Sequence, residues 1–255
     1  MTMWPYPKIL AHRGGGALAP ENTLAALRCG LSHGFHAVEF DVMLAGDGIP
    51  VVLHDPELGR TVAGSGRVPD YAAAELTKMD AGAWFAPAFA GEPVPRYEEV
   101  FRFCLENRIW MNVEIKPAPG FEEATGRTVA ALTAQWLTEP AVAAALAGGW
   151  QAPLLSSFSH EALLAARAAA PELARACLFD AIPADWLARL QAAGAQALHT
   201  SHRKLTPAQA AAVKEAGYGL FCYTVNEPAR AREILAWGVD AFCTDRIDLI
   251  GADFA

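Results

Sequence analysis

Short apolar runs alternate with alanine- and leucine-rich segments along most of the chain. Eight of the runs have the length and composition of buried strands, and a segment with helical spacing of apolar residues follows each of them. Strands that alternate with helices predict a parallel sheet, because each helix carries the chain back to the start of the next strand. The predicted strands are residues 9–11, 37–42, 111–115, 154–158, 176–179, 195–199, 219–225 and 241–244.

A ninth apolar run, residues 50–54, breaks this alternation. Only Ala45-Gly46-Asp47-Gly48 lies between the extended segments that end at Leu44 and begin at Ile49, which is too few residues for a crossover between parallel strands. An Asp-Gly pair at residues 47–48 favours a tight turn. The sequence therefore predicts an antiparallel hairpin at this point.

The register of the hairpin decides which charged residues meet. We expect Leu44 to pair with Ile49, a register that places His54 opposite Glu39 and near Asp41. Residues i and i+2 of a strand face the same side, so the two carboxylates form a same-face pair. The hairpin is thus predicted to bring an imidazole to two acids.

Residues 56–95 do not fit the pattern of one crossover helix. They hold five prolines and four aromatic residues, and proline interrupts helices. We predict an insertion with its own small aromatic cluster, lying over the end of the sheet where the carboxyl ends of the strands gather.

Composition and charge narrow the fold and the partners. With 255 residues, 53% of them hydrophobic, the chain can build one large core and is about the length of an eight-stranded α/β barrel. A net charge of -8 and the lack of any basic run argue against a nucleic acid or an anionic membrane as partner. The sequence makes no prediction of oligomeric state.

Targeting signals and cysteines bear on location. The first residues lack the basic and long apolar parts of an export signal, and no apolar stretch has the length of a membrane span. The five cysteines are widely spaced, which is typical of reduced thiols. We predict a cytoplasmic protein without stable membrane association.

Ionisable residues close four of the apolar runs in the first half of the chain. Burying an unpaired charge is costly, so charges at the ends of core strands indicate a site. The four clusters are His12-Arg13, Glu39-Phe40-Asp41, His54-Asp55 and Glu114-Ile115-Lys116.

Three carboxylates in these clusters form a candidate metal site. Glu39, Asp41 and Glu114 supply hard oxygen ligands, which suit Mg²⁺ or Ca²⁺ better than Zn²⁺. The alternative is that the acids form buried salt bridges. If the acids bind a metal ion, Arg13 and Lys116 are cations beside that ion. This arrangement can hold a phosphoryl group between the metal and fixed positive charge.

Two histidines in the clusters are candidates for proton transfer. His12 and His54 can serve as general base and general acid in phosphoryl transfer, the alternative being a structural role. His199 and His202 follow at a predicted strand end, and we interpret them as loop residues, with a place in the pocket wall as the alternative. A Gly-x-Ser-x-Gly nucleophile elbow does not occur.

Taken together, the ordered motifs resemble the glycerophosphodiester phosphodiesterases, in particular the short cytosolic bacterial enzymes, over nearly the whole chain. The motifs that carry the resemblance are His12-Arg13-Gly14, Pro20-Glu21-Asn22-Thr23, Glu39-Phe40-Asp41-Val42, Asp47-Gly48, His54-Asp55, Asp80-Ala81-Gly82 with Trp84, Glu114-Ile115-Lys116, Ser157-Phe158, Tyr223-Thr224-Val225-Asn226 and Thr244-Asp245.

The resemblance implies a (β/α)₈ TIM barrel that forms one domain over residues 1–255, with a small insertion at residues 56–95. It implies one divalent cation, Mg²⁺ first and Ca²⁺ or Mn²⁺ as alternatives. Glu21 is expected to orient a neighbour, and Asn22-Thr23 to cap the first helix. By the resemblance, Glu39, Asp41 and Glu114 are metal ligands, His12 and His54 are catalytic, Arg13 and Lys116 bind phosphate, and Phe158 and Tyr223 line the substrate groove.

The activity implied is hydrolysis of glycerophosphodiesters, such as glycerophosphocholine and glycerophosphoethanolamine, to sn-glycerol 3-phosphate and an alcohol. Two alternatives stay open: a lysophospholipase-D-like enzyme for bulkier diesters, and a non-catalytic barrel that binds phosphodiesters or metal. Ala45, Arg96 and Ile247 depart from residues common in the family, and none of them is at an implied catalytic position.

Overall fold

The computed structural model describes residues 4–255 of the chain. The first three residues, which belong to the segment inspected for an export signal, lie outside the described residues. Within residues 4–255, eight parallel strands close into a barrel, and helices surround it. The (β/α)₈ barrel expected from the sequence is therefore confirmed.

The strands follow one another around the barrel in chain order, except that β3 lies outside it, antiparallel to β2. Parallel pairing of β1 with both β2 and β9 closes the circle. The strands are β1 Ile9–Ala11, β2 Ala37–Leu44, β3 Pro50–Val52, β4 Trp110–Ile115, β5 Leu154–Ser157, β6 Ala174–Phe179, β7 Ala197–Ser201, β8 Gly219–Tyr223 and β9 Ala241–Thr244.

Helices connect these strands, and two of them begin after a threonine that caps the first turn. Thr23 accepts a hydrogen bond from the Ala26 N–H and caps α1, and Thr206 caps α8 in the same way. No helix within residues 4–255 is both long and apolar enough to cross a membrane. The helices are α1 Leu24–Ser32, α2 Ala73–Leu76, α3 Tyr97–Glu106, α4 Glu122–Leu137, α5 Pro140–Ala147, α6 His160–Ala169, α7 Trp186–Ala193, α8 Pro207–Glu215 and α9 Pro228–Ala236.

Aromatic side chains fill the barrel interior at the amino-terminal ends of the strands. Tyr6 stacks on Trp110, the first residue of β4, with ring centroids 4.3 Å apart. Trp4 stacks on Phe221 at 6.2 Å. This packing fills one end of the barrel, whereas the charged clusters gather at the other.

The β2–β3 hairpin differs from its predicted register by one residue. Leu44 pairs with Pro50 rather than with Ile49. The Ala45 N–H donates to the Ile49 carbonyl at 3.0 Å, which leaves a loop of three residues that ends at Gly48 with φ +78°. Such a loop with a left-handed glycine is a common hairpin turn. The predicted four-residue loop was therefore wrong.

His54 reaches the cavity beside Asp41 of β2 in spite of this shift. The paired part of β3 ends at Val52, so the expected pairing of His54 with Glu39 does not form. The Leu53 N–H still donates to the Asp41 carbonyl at 3.1 Å. This bond brings the next residue, His54, to the cavity that Asp41 also lines.

Residues 56–95 contain short elements and pack on the hairpin. Trp84, Phe85 and Phe89 contact one another edge to face, yet Trp84 is 43% exposed. The predicted aromatic contacts therefore form, and beside them the segment shares with the hairpin a buried cluster that is mainly aliphatic. Its buried members are Met43, Ala45, Val51, Leu53, Val62, Val68, Ala73, Leu76, Ala81 and Val94.

Strand β7 lies two residues further along the chain than predicted. It runs over Ala197–Ser201, so His199 is in its middle and fully buried rather than in a loop. His202 follows the strand directly. The interpretation of His199 as a loop residue was wrong, because the apolar run alone did not fix where the strand ends.

Candidate active site

The three predicted metal ligands come from two neighbouring strands. Asp41 of β2 and Glu114 of β4 are register partners, and Glu39 precedes Asp41 by two residues on the same face. One carboxylate oxygen of each lies within 4.8 Å of the others, and all three residues are buried. Three buried carboxylates this close together fit a hard divalent cation such as Mg²⁺ or Ca²⁺.

The acids do not share one protonation state. Burial and the charge of Asp41 raise the pKa of Glu39 to about 7, and the same two causes raise that of Glu114 to about 8. Burial acts against ionisation of Asp41 too, but Lys116 and Arg13 outweigh it and lower the pKa of Asp41 to about 2. Asp41 is thus the permanently charged member of the trio.

Two cations lie beside the acids without neutralising all of them. Lys116 Nζ is 2.9 Å from Glu114 Oε1 and 3.3 Å from Asp41 Oδ1, and Arg13 Nε is 3.5 Å from Asp41 Oδ2. Buried salt bridges, the alternative considered from the sequence, therefore exist. They leave Glu39 and Glu114 with raised pKa values, so further positive charge is needed to ionise both acids.

Arg13 is held in place by its backbone and by Glu21. Its N–H donates to Glu39 Oε2 at 3.2 Å, and its guanidinium donates to Glu21 Oε1 at 2.7 Å. The residue has φ +50°, a left-handed conformation that is uncommon outside glycine. Glu21 thus positions Arg13, as expected from the sequence.

Each of the two predicted catalytic histidines is bonded to a carboxylate through Nδ1. His12 lies 2.6 Å from Asp245 Oδ1, and His54 lies 2.6 Å from Asp55 Oδ1. This leaves Nε2 of each ring for a ligand, and Nε2 of His12 is 3.7 Å from Glu39 Oε2. A carboxylate on Nδ1 fixes the tautomer and the orientation of an imidazole.

The environments of the two imidazoles differ. Burial opposes the charged form of His12, but the hydrogen bond to Asp245 and the charge of Glu39 prevail and raise its pKa. Burial lowers the pKa of His54, assisted by the charges of Arg13 and Lys116. The cavity therefore contains two titratable rings with opposite shifts.

Asn22, which was predicted to cap the first helix, contributes to the site instead. Asn22 donates to Asp41 Oδ2 at 2.8 Å and accepts from the Asp41 N–H at 3.2 Å, in a left-handed conformation with φ +61°. The predicted capping role belongs to Thr23. Asn22 instead fixes Asp41.

Arg60 and Asp245 also belong to the site. Asp245 is part of the Thr244-Asp245 motif, but the sequence analysis assigned a role to neither residue. Arg60 donates to both oxygens of Glu21, at 2.7 and 2.9 Å, and ion-pairs with Asp55. It lies in an irregular loop, where no pattern marks it. Asp245 follows the buried strand β9, which is the same signal that identified the other charged clusters. Asn226 donates to Asp245 Oδ2 at 2.9 Å.

One cavity of about 190 Å³ collects all the predicted site residues. Phe158, 48% exposed, stands at its mouth and meets Tyr223 edge to face at 5.7 Å. Lys116 Nζ is 5.8 Å from the centroid of the Phe158 ring. The predicted residues that line the cavity are His12, Arg13, Glu39, Asp41, His54, Glu114, Lys116, Phe158 and Tyr223.

Comparisons with known proteins agree with this arrangement. The profile of the glycerophosphoryl diester phosphodiesterase family matches residues 12–249. A glycerophosphodiester phosphodiesterase from Caldanaerobacter subterraneus is 32% identical over 242 residues, which is 93% of each chain. A putative glycerophosphodiester phosphodiesterase from Bacillus subtilis is 30% identical over 96% of this chain and 97% of its own.

A solved structure is similar over nearly the same length. It is a phosphodiesterase from Oleispira antarctica in complex with the product sn-glycerol-3-phosphate, 36% identical, with a TM-score of 0.81 over 94% of this chain and 93% of its own. The family profile covers most of the chain, and each of the two relatives named first is matched over at least 93% of this chain and of its own. This chain therefore belongs to the glycerophosphoryl diester phosphodiesterase family, and its enzyme class is that of the phosphoric diester hydrolases.

Proposed function

We propose that the chain is a divalent-metal-dependent hydrolase of glycerophosphodiesters, such as glycerophosphocholine and glycerophosphoethanolamine. The products are sn-glycerol 3-phosphate and an alcohol. The observation that carries the proposal is one cavity that combines three clustered carboxylates, two cations and two histidines held by carboxylates. The product in the Oleispira antarctica structure supports the substrate class.

Glu39, Asp41 and Glu114 are the residues that would hold the ion. Their hard oxygen donors fit a divalent cation, which we propose is Mg²⁺, with Ca²⁺ or Mn²⁺ as alternatives. A divalent ion bound there supplies positive charge to the phosphodiester and favours its attack by a nucleophile.

Arg13 and Lys116 bind the phosphate oxygens. Both line the cavity and lie beside Asp41, which holds the two charged groups in position before the substrate binds. Preorganised cations stabilise negative charge that develops on the phosphoryl oxygens. Glu21 and Arg60 keep Arg13 in position for this task.

His12 and His54 transfer the protons. One ring removes the proton from the nucleophile, and the other gives a proton to the oxygen of the departing alcohol. The nucleophile is either water or the glycerol 2-hydroxyl, which gives a cyclic phosphate that water then opens. Asp245 and Asp55 orient the rings, so that Nε2 of each is available on the cavity side. Phe158 and Tyr223 form the wall along which the substrate lies.

We also infer a cytoplasmic location, because these substrates are deacylated phospholipids and dissolve in water. The acyl chain of a lysophospholipid would need an apolar channel beside the phosphate site. Most residues that line the cavity are polar or charged, and an adjoining groove beside His12 and Arg13 carries the apolar rings of Trp84 and Phe85. The test below therefore includes a lysophospholipid.

A coupled assay for glycerol 3-phosphate, run beside an assay for the released choline or ethanolamine, tests the proposal. The second assay is needed because cleavage of lysophosphatidylcholine gives choline and lysophosphatidic acid, without glycerol 3-phosphate. The enzyme is incubated with glycerophosphocholine, glycerophosphoethanolamine and lysophosphatidylcholine, each with excess chelator and after addition of Mg²⁺, Ca²⁺ or Mn²⁺. We expect release from the first two substrates that stops in chelator and returns with metal. Cleavage of lysophosphatidylcholine alone would establish the lysophospholipase-D-like alternative, and binding without turnover would establish the non-catalytic one.

A further inference from the structure

Two buried, neutral side chains beside the acids have an oxygen atom without a partner. Asn112 of β4 is 2% exposed, and Ser156 of β5 is fully buried. Among residues 4–255, neither Oδ1 of Asn112 nor Oγ of Ser156 has a hydrogen-bond partner. Buried polar groups in folded proteins are almost always paired, so these two oxygens indicate a polar ligand that both of them contact.

The strand register places both side chains next to the carboxylates. Asn112 is the register partner of Glu39 and precedes Glu114 by two residues, so it shares the inward face of β4. It lines the same cavity as the acids. Ser156 is the register partner of Glu114 and follows by two residues Leu154, which packs in the barrel interior. Neutral oxygens therefore flank Glu114 on its own strand and on the next.

The two side chains are suited to contact the hydration shell of an ion rather than the ion. The carboxylate oxygens of the acids extend into the interior to within 4.8 Å of one another. Asparagine and serine are shorter than glutamate, and they keep their oxygens closer to the strands. Groups bound to a metal ion are in turn held by hydrogen bonds from residues around them.

Mg²⁺ and Ca²⁺ differ in their need for such partners. Mg²⁺ requires a nearly ideal octahedral shell and gives up water reluctantly, so it usually keeps several water molecules when a protein binds it. Ca²⁺ accepts more ligands in a flexible geometry. Acceptors that fix water molecules around an ion therefore stabilise bound Mg²⁺ more than bound Ca²⁺.

We propose that Asn112 and Ser156 accept hydrogen bonds from the hydration shell of the divalent ion and thereby favour Mg²⁺ over Ca²⁺. The inference rests on the proposed function, which assigns the ion to Glu39, Asp41 and Glu114. Both side chains are neutral, so they remain acceptors whether or not the acids carry protons. They act through the ion and are positioning residues.

The test measures binding of Mg²⁺ alone and of Ca²⁺ alone to chelator-treated protein by isothermal titration calorimetry. The proteins are the wild type, Asn112→Leu, Ser156→Ala and the control Thr200→Val. Thr200 is fully buried, and its hydroxyl also lacks a partner within residues 4–255. It follows His199, which lines the cavity, and so faces the other side of β7. The readout is the ratio of the Mg²⁺ and Ca²⁺ dissociation constants.

We expect Asn112→Leu and Ser156→Ala each to weaken Mg²⁺ binding by roughly 10- to 100-fold, the usual loss when a residue around a metal ligand is removed, and Ca²⁺ binding clearly less. The Tm of both variants in chelator should not fall below that of the wild type, because an unpaired buried oxygen is removed. Thr200→Val should keep both dissociation constants of the wild type.

An unchanged ratio in folded Asn112→Leu and Ser156→Ala proteins overturns the inference and leaves the proposed function intact. Equal losses for the two ions also overturn it, because they would mark the side chains as direct ligands. If the wild type binds neither ion, the metal dependence in the proposed function itself fails.

Discussion

Single residues in this site are fixed by partners that take no part in the proposed chemistry. Asp245 and Asp55 each bond one imidazole, and Asn22 bonds Asp41 on both its carboxylate and its N–H. The charged residues at strand ends could be predicted as site residues, because burying an unpaired charge is costly. Asn22 could not, since its left-handed backbone and its bond to Asp41 depend on contacts between distant parts of the chain.

Replacement of either histidine that we propose as catalytic should lower turnover and preserve the fold. His12→Gln or His54→Gln removes a ring that exchanges a proton, and general acid–base catalysis contributes roughly 10² to 10⁴ in rate. We expect a fall of that size in kcat for glycerophosphoethanolamine, with an unchanged circular dichroism spectrum. His36→Gln, at an exposed position, is the matched control. Wild-type turnover in a folded His12→Gln or His54→Gln protein would remove that ring from the mechanism.

The raised pKa values of Glu39 and Glu114 predict how pH acts on the metal-free protein. The folded state keeps protons on these acids up to about pH 7 and 8, whereas the unfolded chain releases them near 4.5. A folded state that binds more protons loses stability as pH rises through this range. The raised pKa of His12 acts in the same direction, and the lowered pKa of His54 in the opposite one. The low pKa of Asp41 affects only more acidic solutions.

Thermal unfolding in chelator should therefore give a lower Tm at about pH 8 than at about pH 5.5, and Mg²⁺ should restore it at the higher pH, where it binds ionised carboxylates. The double variant Glu39→Gln, Glu114→Gln should show a smaller pH dependence and no response to Mg²⁺. A Tm that rises with pH in chelated wild-type protein would contradict the assigned protonation states.

At the scale of elements, the kinds of structure were predictable and their ends were not. Alternating strand and helix patterns identified the barrel, and an Asp-Gly pair identified the hairpin. The loop of that hairpin is one residue shorter than predicted, because Gly48 takes a left-handed conformation that lets Ala45 bond Ile49. Strand β7 continues to Ser201 because its neighbours pair with it that far. The bounds of the hairpin loop and of β7 are both set by the strands with which these segments pair. The sequence of one segment alone does not show those partners.

The hairpin depends on a close approach between Gly46 and the segment of residues 56–95. A Cβ at this position would overlap the carbonyl oxygen of Pro69, and the Gly46 N–H donates to the Tyr71 carbonyl at 2.7 Å. Gly46→Ala should cost about 1 to 3 kcal/mol, as overpacking does. We also expect lower kcat, because the hairpin leads to His54.

Urea unfolding of Gly46→Ala beside Gly251→Ala measures this cost. A Cβ on Gly251 meets nothing within 4 Å, so that variant should stay within about 0.5 kcal/mol of the wild type. Equal stability of the two variants would show that the hairpin and the segment can separate without loss.

At the scale of the whole molecule, the two ends of the barrel have different tasks. The carboxyl ends of the strands carry the charged cavity, as in other barrels of this class. The amino-terminal end is filled by aromatic rings, among them Tyr6 and Trp110. The direction of the strands therefore allowed the site to be predicted at their carboxyl ends from the sequence. The packing of Tyr6 into the other end of the barrel is seen only in the folded chain.

This division predicts that stability and activity can be changed separately. Tyr6→Ala removes a ring stacked at 4.3 Å on Trp110, the first residue of β4, and should cost about 2 kcal/mol with little change in kcat/KM. Phe158→Ala removes a side chain that is 48% exposed, so its stability should change by about 0.5 kcal/mol or less.

The same Phe158→Ala variant should raise KM severalfold, because the ring stands at the mouth of the cavity against Tyr223 and near Lys116. Urea unfolding and steady-state kinetics on both variants give the four values needed. Loss of activity in a folded Tyr6→Ala protein would mean that packing at the amino-terminal end of the barrel affects the positions of the acidic residues through the strands. An unchanged KM in Phe158→Ala would place the substrate elsewhere in the cavity, on the side of His12 and Asp245, where Trp84 and Phe85 of the inserted segment line an adjoining groove.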